Sequence, residues 1–168
     1  YLPEQRRYQC GPRLDVAIKA IRRCSDIKAG GDPLVSLAMC VCMREAALNL
    51  YAFQRPVEAE EALRQLKKEK ASDVTEDTTL EVFIQKEITA RMNGLDNANK
   101  EKQVLNQLVR SDIWRRLETP DFAAGYERLA RLYWTSYAGT TGTDKAWQSL
   151  QKRAQERSLL EMPAVVQP

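Results

Sequence analysis

The chain of 168 residues is 43% hydrophobic and 29% charged with only seven Gly and seven Pro, which suits one packed domain and excludes a disordered or collagen-like chain. Its 26 Lys and Arg stand against 23 Asp and Glu, a net charge of +3 that falls short of a dedicated nucleic-acid binder. Histidine is absent, which excludes Ser-His-Asp and Cys-His catalysis, histidine metal ligation and histidine pH switching.

Taken in order, nearly every segment reads as helix. The chain starts at Tyr1, read as a processed or partial product, and no basic region followed by an apolar run marks a signal peptide. Residues 1–11 form a polar, basic N-terminal arm. Pro12 opens a helix carrying Leu14, Ala17, Ile18, Ile21 and Cys24 on one face, and Gly30 and Gly31 stop it. Asp32-Pro33 is an N-cap and N1 pair, and Leu34 through Phe53 is apolar on nearly all sides, as in a central core helix. Its most apolar part, Leu34 to Met43, has about half the length of a membrane span. No transmembrane segment is expected.

Gln54-Arg55-Pro56 reads as a tight turn into a helix with an apolar stripe of Val57, Ala59, Ala62, Leu63 and Leu66. Acidic residues near its start and lysines near its end complement the helix dipole. Asp73-Val-Thr-Glu76 has capping-box spacing ahead of Leu80, Phe83, Ile84, Ile88 and Met92, and Asn93-Gly94 stops that helix. Asn97 to Val109 is expected as one helix and Ser111 to Leu117 as a short separate piece. Thr119-Pro120 then caps an aromatic-rich helix, and Ala138 to Thr143 is the clearest loop. Asp144 is expected to cap a last helix through Trp147, Leu150 and Ala154, with 161–168 as a tail. The expected organisation is a single helical domain over 12–160, with about seven helices and hairpins near 33–71, 76–110 and 120–158.

The chemistry of the side chains points away from catalysis. Of Cys10, Cys24, Cys40 and Cys42, the last two lie two apart on a helix, so they point about 200° apart and do not share a metal. Without Cys-x-x-Cys no structural zinc is expected, and a Cys10–Cys24 disulfide has no supporting signal. Reduced thiols in an intracellular protein of cytoplasm, nucleus or organelle matrix are expected. Glu45 is the one carboxylate amid the apolar run and is expected to pair with a neighbour such as Arg44 or to sit at a partly open groove. Gly139-Thr-Thr-Gly-Thr143 lacks the Lys-Ser/Thr ending of a phosphate loop and follows a helix rather than a strand. Neither cofactor, metal nor small-molecule substrate is expected.

Helices joined by tight turns pack as antiparallel hairpins. The stretch from Cys40 to about Asp73 resembles a tetratricopeptide repeat. Counting from Cys40, Ala47 falls at the helix-contact position, Leu50 at the aromatic position, Ala59 at the small residue opening the second helix, and Leu63 and Leu66 at later packing positions. Met43 stands at the tryptophan position, and Ala71 where Pro closes the unit. Tyr126, Ala130 and Tyr133 echo the first-helix pattern. The resemblance implies an all-α fold of hairpins stacked as a short α-solenoid with a concave binding face. An irregular orthogonal bundle is the alternative.

The function that follows is a non-enzymatic scaffold or adaptor, a subunit of a larger complex that binds a partner segment in a helical groove. Candidate partner-binding residues are Arg44, Asn49, Lys86, Arg91, Arg128, Arg131 and Trp134. In peptide-binding members of the family a cation and an Asn clamp a carboxylate. Arg44 falls at the cationic position, but Leu48 occupies the Asn position. The alternative is an RNA- or DNA-binding module using Arg6, Arg7, Arg13, Lys19, Arg22 and Arg23 together with Arg115 and Arg116, beside Arg110, Arg128 and Arg131.

Overall fold

The computed structural model describes residues 33–138 and 143–162, and all regular structure in them is helical. The helices are α1 (Pro33–Ala52), α2 (Pro56–Lys68), α3 (Leu80–Met92), α4 (Asn97–Arg116), α5 (Pro120–Ala138) and α6 (Asp144–Glu161). No described helix is long and apolar enough to cross a membrane. The N-terminal arm, the helix expected after Pro12, the Asp32 cap, the Gly-Thr-Thr-Gly loop residues 139–142 and the tail from 163 lie outside the described residues. Packing sorts the rest into two compact units, 33–87 and 88–162, with the boundary inside α3.

In the first unit α1 and α2 form an antiparallel hairpin. Ala47 on α1 and Ala59 on α2 have no exposed surface, and Leu50, Leu63 and Leu66 fill the space around them. Small residues at the crossing let the backbones approach, and the leucines then interdigitate. The connection is a Schellman turn: Gln54 N–H donates to Tyr51 O, and Arg55 N–H to Leu50 O. Gln54 takes a left-handed φ of 57°, and Pro56 then starts α2 where a missing N–H costs nothing. α1 departs from the expected all-round burial. Its second half is buried through Met43, Ala46, Leu48 and Leu50, whereas Leu34, Leu37 and Val41 in its first half are 76%, 61% and 59% exposed.

The entry to α3 also differs from the expected capping box. Asp73 stands at a left-handed φ of 66° and pairs with Arg44. Thr79 begins the helix instead: its hydroxyl accepts from Val82 N–H at 3.4 Å and its carbonyl from Phe83 N–H at 2.9 Å. The stop after α3 is as read, with Gly94 at φ 81°.

In the second unit α4 packs on both α5 and α6. Asp96 caps α4 by accepting from Asn99 N–H at 2.8 Å, and the helix runs unbroken to Arg116. The expected break near Arg110 is absent because the helix is buried on nearly all sides there, through Leu108, Val109, Ser111, Asp112, Ile113 and Trp114. α4 ends in the same turn as α1. Glu118 has φ 58°, Thr119 N–H donates to Trp114 O, and Pro120 begins α5. At the α4–α5 crossing, Ser111 donates its hydroxyl to Ala123 O at 2.7 Å, so a small polar residue sits buried with its hydrogen bond made. Trp114 meets Phe122 edge-on at 5.0 Å. The last helix is capped by Thr143, whose hydroxyl accepts from Ala146 N–H at 3.2 Å, one residue before the expected Asp144.

Helix starts recur at a constant interval. Pro33 and Asn97, Pro56 and Pro120, and Leu80 and Asp144 are each 64 residues apart. The same interval relates Ala47 to Ser111 and Ala59 to Ala123, the residues at the two crossings.

Candidate functional site

The nominated partner-binding residues divide between the two units. Arg44, Asn49 and Lys86 belong to the first, and Arg91, Arg128, Arg131 and Trp134 to the second. In the first unit, Arg44 is committed to structure. Its guanidinium donates to Glu87 at 3.1 Å, Asp73 at 2.7 Å and the Ser72 carbonyl at 3.0 Å, and it lies 5.7 Å from the Phe83 ring centre. Burial disfavours its charge, but hydrogen bonds and charge from Asp73 and Glu87 outweigh that, and its pKa stands above the ordinary value. Arg44 therefore ties α1 to the loop after α2 and to α3. Glu45 does not pair with it: that carboxylate is exposed and accepts from Asn49 Nδ2 at 3.0 Å. Asn49 also donates to Glu45 O, while Lys86 is exposed.

The second unit assembles a surface from α5 and α6. Leu129, Ala130 and Tyr133 turn one face of α5 into the core, which leaves Arg131, Trp134 and Tyr137 toward the side where α6 begins. Trp134 meets Tyr137 edge-on at 5.8 Å and lies 6.0 Å from Trp147 of α6. The exposed Arg131 guanidinium lies 4.0 Å over the Trp147 ring centre. Trp147 is only 4% exposed, and its indole N–H finds no acceptor among the described residues. Arg131 likewise has no carboxylate partner among them, so the ring alone holds its position. A pre-placed cation and two half-buried rings offer contacts to acceptor groups and flat or apolar side chains. Arg91 and Arg128 are half-buried and engaged by neighbours.

Of the arginines nominated for nucleic acid, Arg115 and Arg116 converge on one carboxylate. Asp112, with a side chain only 7% exposed, accepts from Arg116 Nε at 2.8 Å and Arg115 at 3.4 Å, and also from the Ser158 hydroxyl of α6. Arg110 lies 6.0 Å from the Tyr126 ring centre. Burial raises the Tyr126 pKa, with Arg110 opposing. Arg6, Arg7, Arg13, Lys19, Arg22 and Arg23 lie outside the described residues.

Beside Asp112 is a cavity of 20 Å³ edged by Ser111, Arg115, Glu127, Gln151 and Gln155, with room for about one water molecule and none for a metabolite. No group of three or more metal-ligating side chains occurs among the described residues. Sequence reasoning placed Trp147 in the core and did not single out Asp112 or Ser158. Arg131 and Trp147 meet across two helices, as do Asp112 and Ser158, and no local spacing marks either pair.

No protein-family model, curated protein or solved structure matches the chain.

Proposed function

We propose that the chain is a non-enzymatic interaction scaffold or adaptor, a subunit of a larger assembly that holds a partner segment on a helical surface. The observation that carries this reading is the α5–α6 surface. Arg131 stands over Trp147 without a carboxylate partner among the described residues, beside the half-buried rings of Trp134 and Tyr137. Arginine and large aromatics are the side chains that concentrate binding energy at protein interfaces. An acidic or acceptor-rich segment suits the exposed Arg131 guanidinium.

A stack of tetratricopeptide-like hairpins is the architecture proposed to present this surface. Its support is the α1–α2 and α4–α5 pair, with one turn type, small residues at both crossings and a 64-residue interval. An intracellular site of action accords with the free Cys40 and Cys42 thiols.

The nucleic-acid alternative rests on Arg6, Arg7, Arg13, Lys19, Arg22 and Arg23, which lie outside the described residues, together with Arg115 and Arg116. Against it, Arg115 and Arg116 already serve the buried Asp112. Two measurements on the full chain decide. Affinity capture is expected to recover one partner in near-stoichiometric amount with wild type and to lose it with Arg131→Glu, while the variant's helical circular dichroism is unchanged. Anisotropy titrations with generic RNA and DNA are expected to show binding weaker than about micromolar at physiological salt. Tighter binding that collapses as salt rises would overturn the scaffold reading.

A further inference from the structure

We propose that Asn93 is a site of spontaneous covalent modification, at which the backbone nitrogen of Gly94 closes onto the Asn93 carboxamide and water then leaves aspartate or isoaspartate in the turn between α3 and α4. This chemistry does not depend on the α5–α6 surface.

The residue pair that stops α3 is also the most reactive asparagine context in the chain. There are five asparagines, and Asn93 alone is followed by glycine. Asn49, Asn97, Asn99 and Asn106 lie inside α1 or α4 and precede Leu50, Ala98, Lys100 and Gln107. A side chain on the following residue crowds its nitrogen, and helical backbone angles hold that nitrogen away from the carboxamide carbon. Asn49 is further restrained, since its amide donates to the Glu45 carbonyl and carboxylate.

The turn presents none of these barriers. Asn93 and Gly94 are both exposed. Gly94 takes φ 81°, and a Cβ built there would meet nothing within 4 Å, so the space beside its nitrogen is open. The backbone bonds of the turn are made by its neighbours: Asn93 N–H donates to Thr89 O at 2.9 Å, and Leu95 N–H to Met92 O at 3.3 Å. Among the described residues no backbone carbonyl accepts from the Gly94 N–H, so no backbone hydrogen bond holds the nitrogen that must attack.

The steps balance without oxidant or reductant. The Gly94 nitrogen gives its proton to solvent base and bonds to Asn93 Cγ, the Cγ–Nδ2 bond breaks, and ammonia leaves. Water then opens the cyclic imide at either carbonyl. Attack at Cγ gives aspartate. Attack at the backbone carbonyl carbon gives isoaspartate, in which the main chain runs through Cγ and is longer by a carbon. Either product sets a carboxylate at the C-terminal end of α3, where the helix dipole is already negative. Isoaspartate also displaces Leu95 and Asp96 relative to Met92, and Asp96 is the cap that accepts from Asn99 N–H. Modification therefore loosens the way α3 leads into α4.

The test incubates the full chain at mildly alkaline pH and physiological temperature, then digests it briefly with trypsin at mildly acidic pH. Peptide 92–100 carries Asn93 with Asn97 and Asn99 as internal references. Conversion is read by tandem mass spectrometry as a gain of about 1 Da, and isoaspartate by labelling with an isoaspartyl methyltransferase. Asn93 is expected to convert at least about tenfold faster than Asn97 and Asn99, and within about tenfold of Asn93 in a synthetic peptide 92–100. Equal rates at the three positions, absence of isoaspartate, or protection beyond that margin would each overturn the proposal.

Gly94→Asn supplies an independent check, because Asn also accepts a left-handed φ but crowds the nitrogen. It is expected to slow conversion at Asn93 about tenfold while helical circular dichroism is unchanged. An unchanged rate would show that the Gly94 nitrogen is not the nucleophile. The converted chain, separated by anion exchange, is expected to melt about 2–5 °C below the parent, and identical melting contradicts a loosened turn.

Discussion

Asp112 shows how one buried charge can organise a helical unit. Its carboxylate joins two arginines of its own helix to the Ser158 hydroxyl of α6, so α4 and α6 are registered by polar contact as well as by apolar packing. Removing the carboxylate takes the shared acceptor from two guanidiniums and unties Ser158 from α4, although its hydroxyl still reaches Gln155 O at 2.9 Å. Asp112→Ala is expected to lower stability by about 2–3 kcal/mol, measured by urea unfolding, and Asp112→Asn by less because the amide oxygen still accepts. The cysteines separate at the same scale. Burial, then the charge of Glu69, raises the Cys40 pKa above its ordinary 9.0, with Arg44 opposing, whereas Cys42 is exposed. Iodoacetamide at mildly alkaline pH is expected to label Cys42 before Cys40, read by tandem mass spectrometry. A raised folded pKa favours the protonated thiol in the native state. Its stabilising contribution is therefore complete below 9.0 and lost as pH rises through the higher folded value, with Tyr126 acting in the same direction above 10.0.

The helix ends carry the clearest local strain. Gln54, Lys70 and Glu118 each occupy the left-handed position of a Schellman turn, where an L side chain crowds the following carbonyl and glycine does not. Gln54→Gly and Glu118→Gly are each expected to stabilise the protein by about 0.5–1 kcal/mol, a rise in Tm of about 1–4 °C by calorimetry. The reverse holds at the crossings. Ala47 and Ala59 have no exposed surface, so Ala47→Trp is expected to cost about 3 kcal/mol or more and to split α1 from α2. Melting like wild type would contradict the hairpin contact. The prolines at 56 and 120 mark these turns in the sequence because a missing N–H suits a first helical turn. The left-handed residues before them, Gln54 and Glu118, carry no such mark, since Gln and Glu are ordinary helix formers. Thr79 and Thr143 illustrate the same limit. Each cap lies within a few residues of an equally suitable Asp, and the burial of the following helix decides which one serves.

For the molecule as a whole, two units with separate polar networks follow from the packing. The Arg44 network holds Asp73 and Glu87, and the Asp112 network holds Arg115, Arg116 and Ser158, with no residue in common. Arg44→Ala and Asp112→Ala are therefore expected to be additive in the double variant to within about 0.5 kcal/mol by equilibrium unfolding. A larger discrepancy would mean that the units do not respond independently.

Helical periodicity, Pro at first turns and Gly94 at a helix end determined by themselves that the described chain is helical and where most of its helices begin and stop, because those signals act within a few residues along the backbone. Tertiary structure alone decided that Val109 to Ser111 continues one helix, that Arg44 is a tie between elements, that Leu34, Leu37 and Val41 face outward, and that Arg131 finds Trp147. Each of those outcomes depends on which distant surface competes for the side chain, and periodicity along the sequence carries no record of that competition.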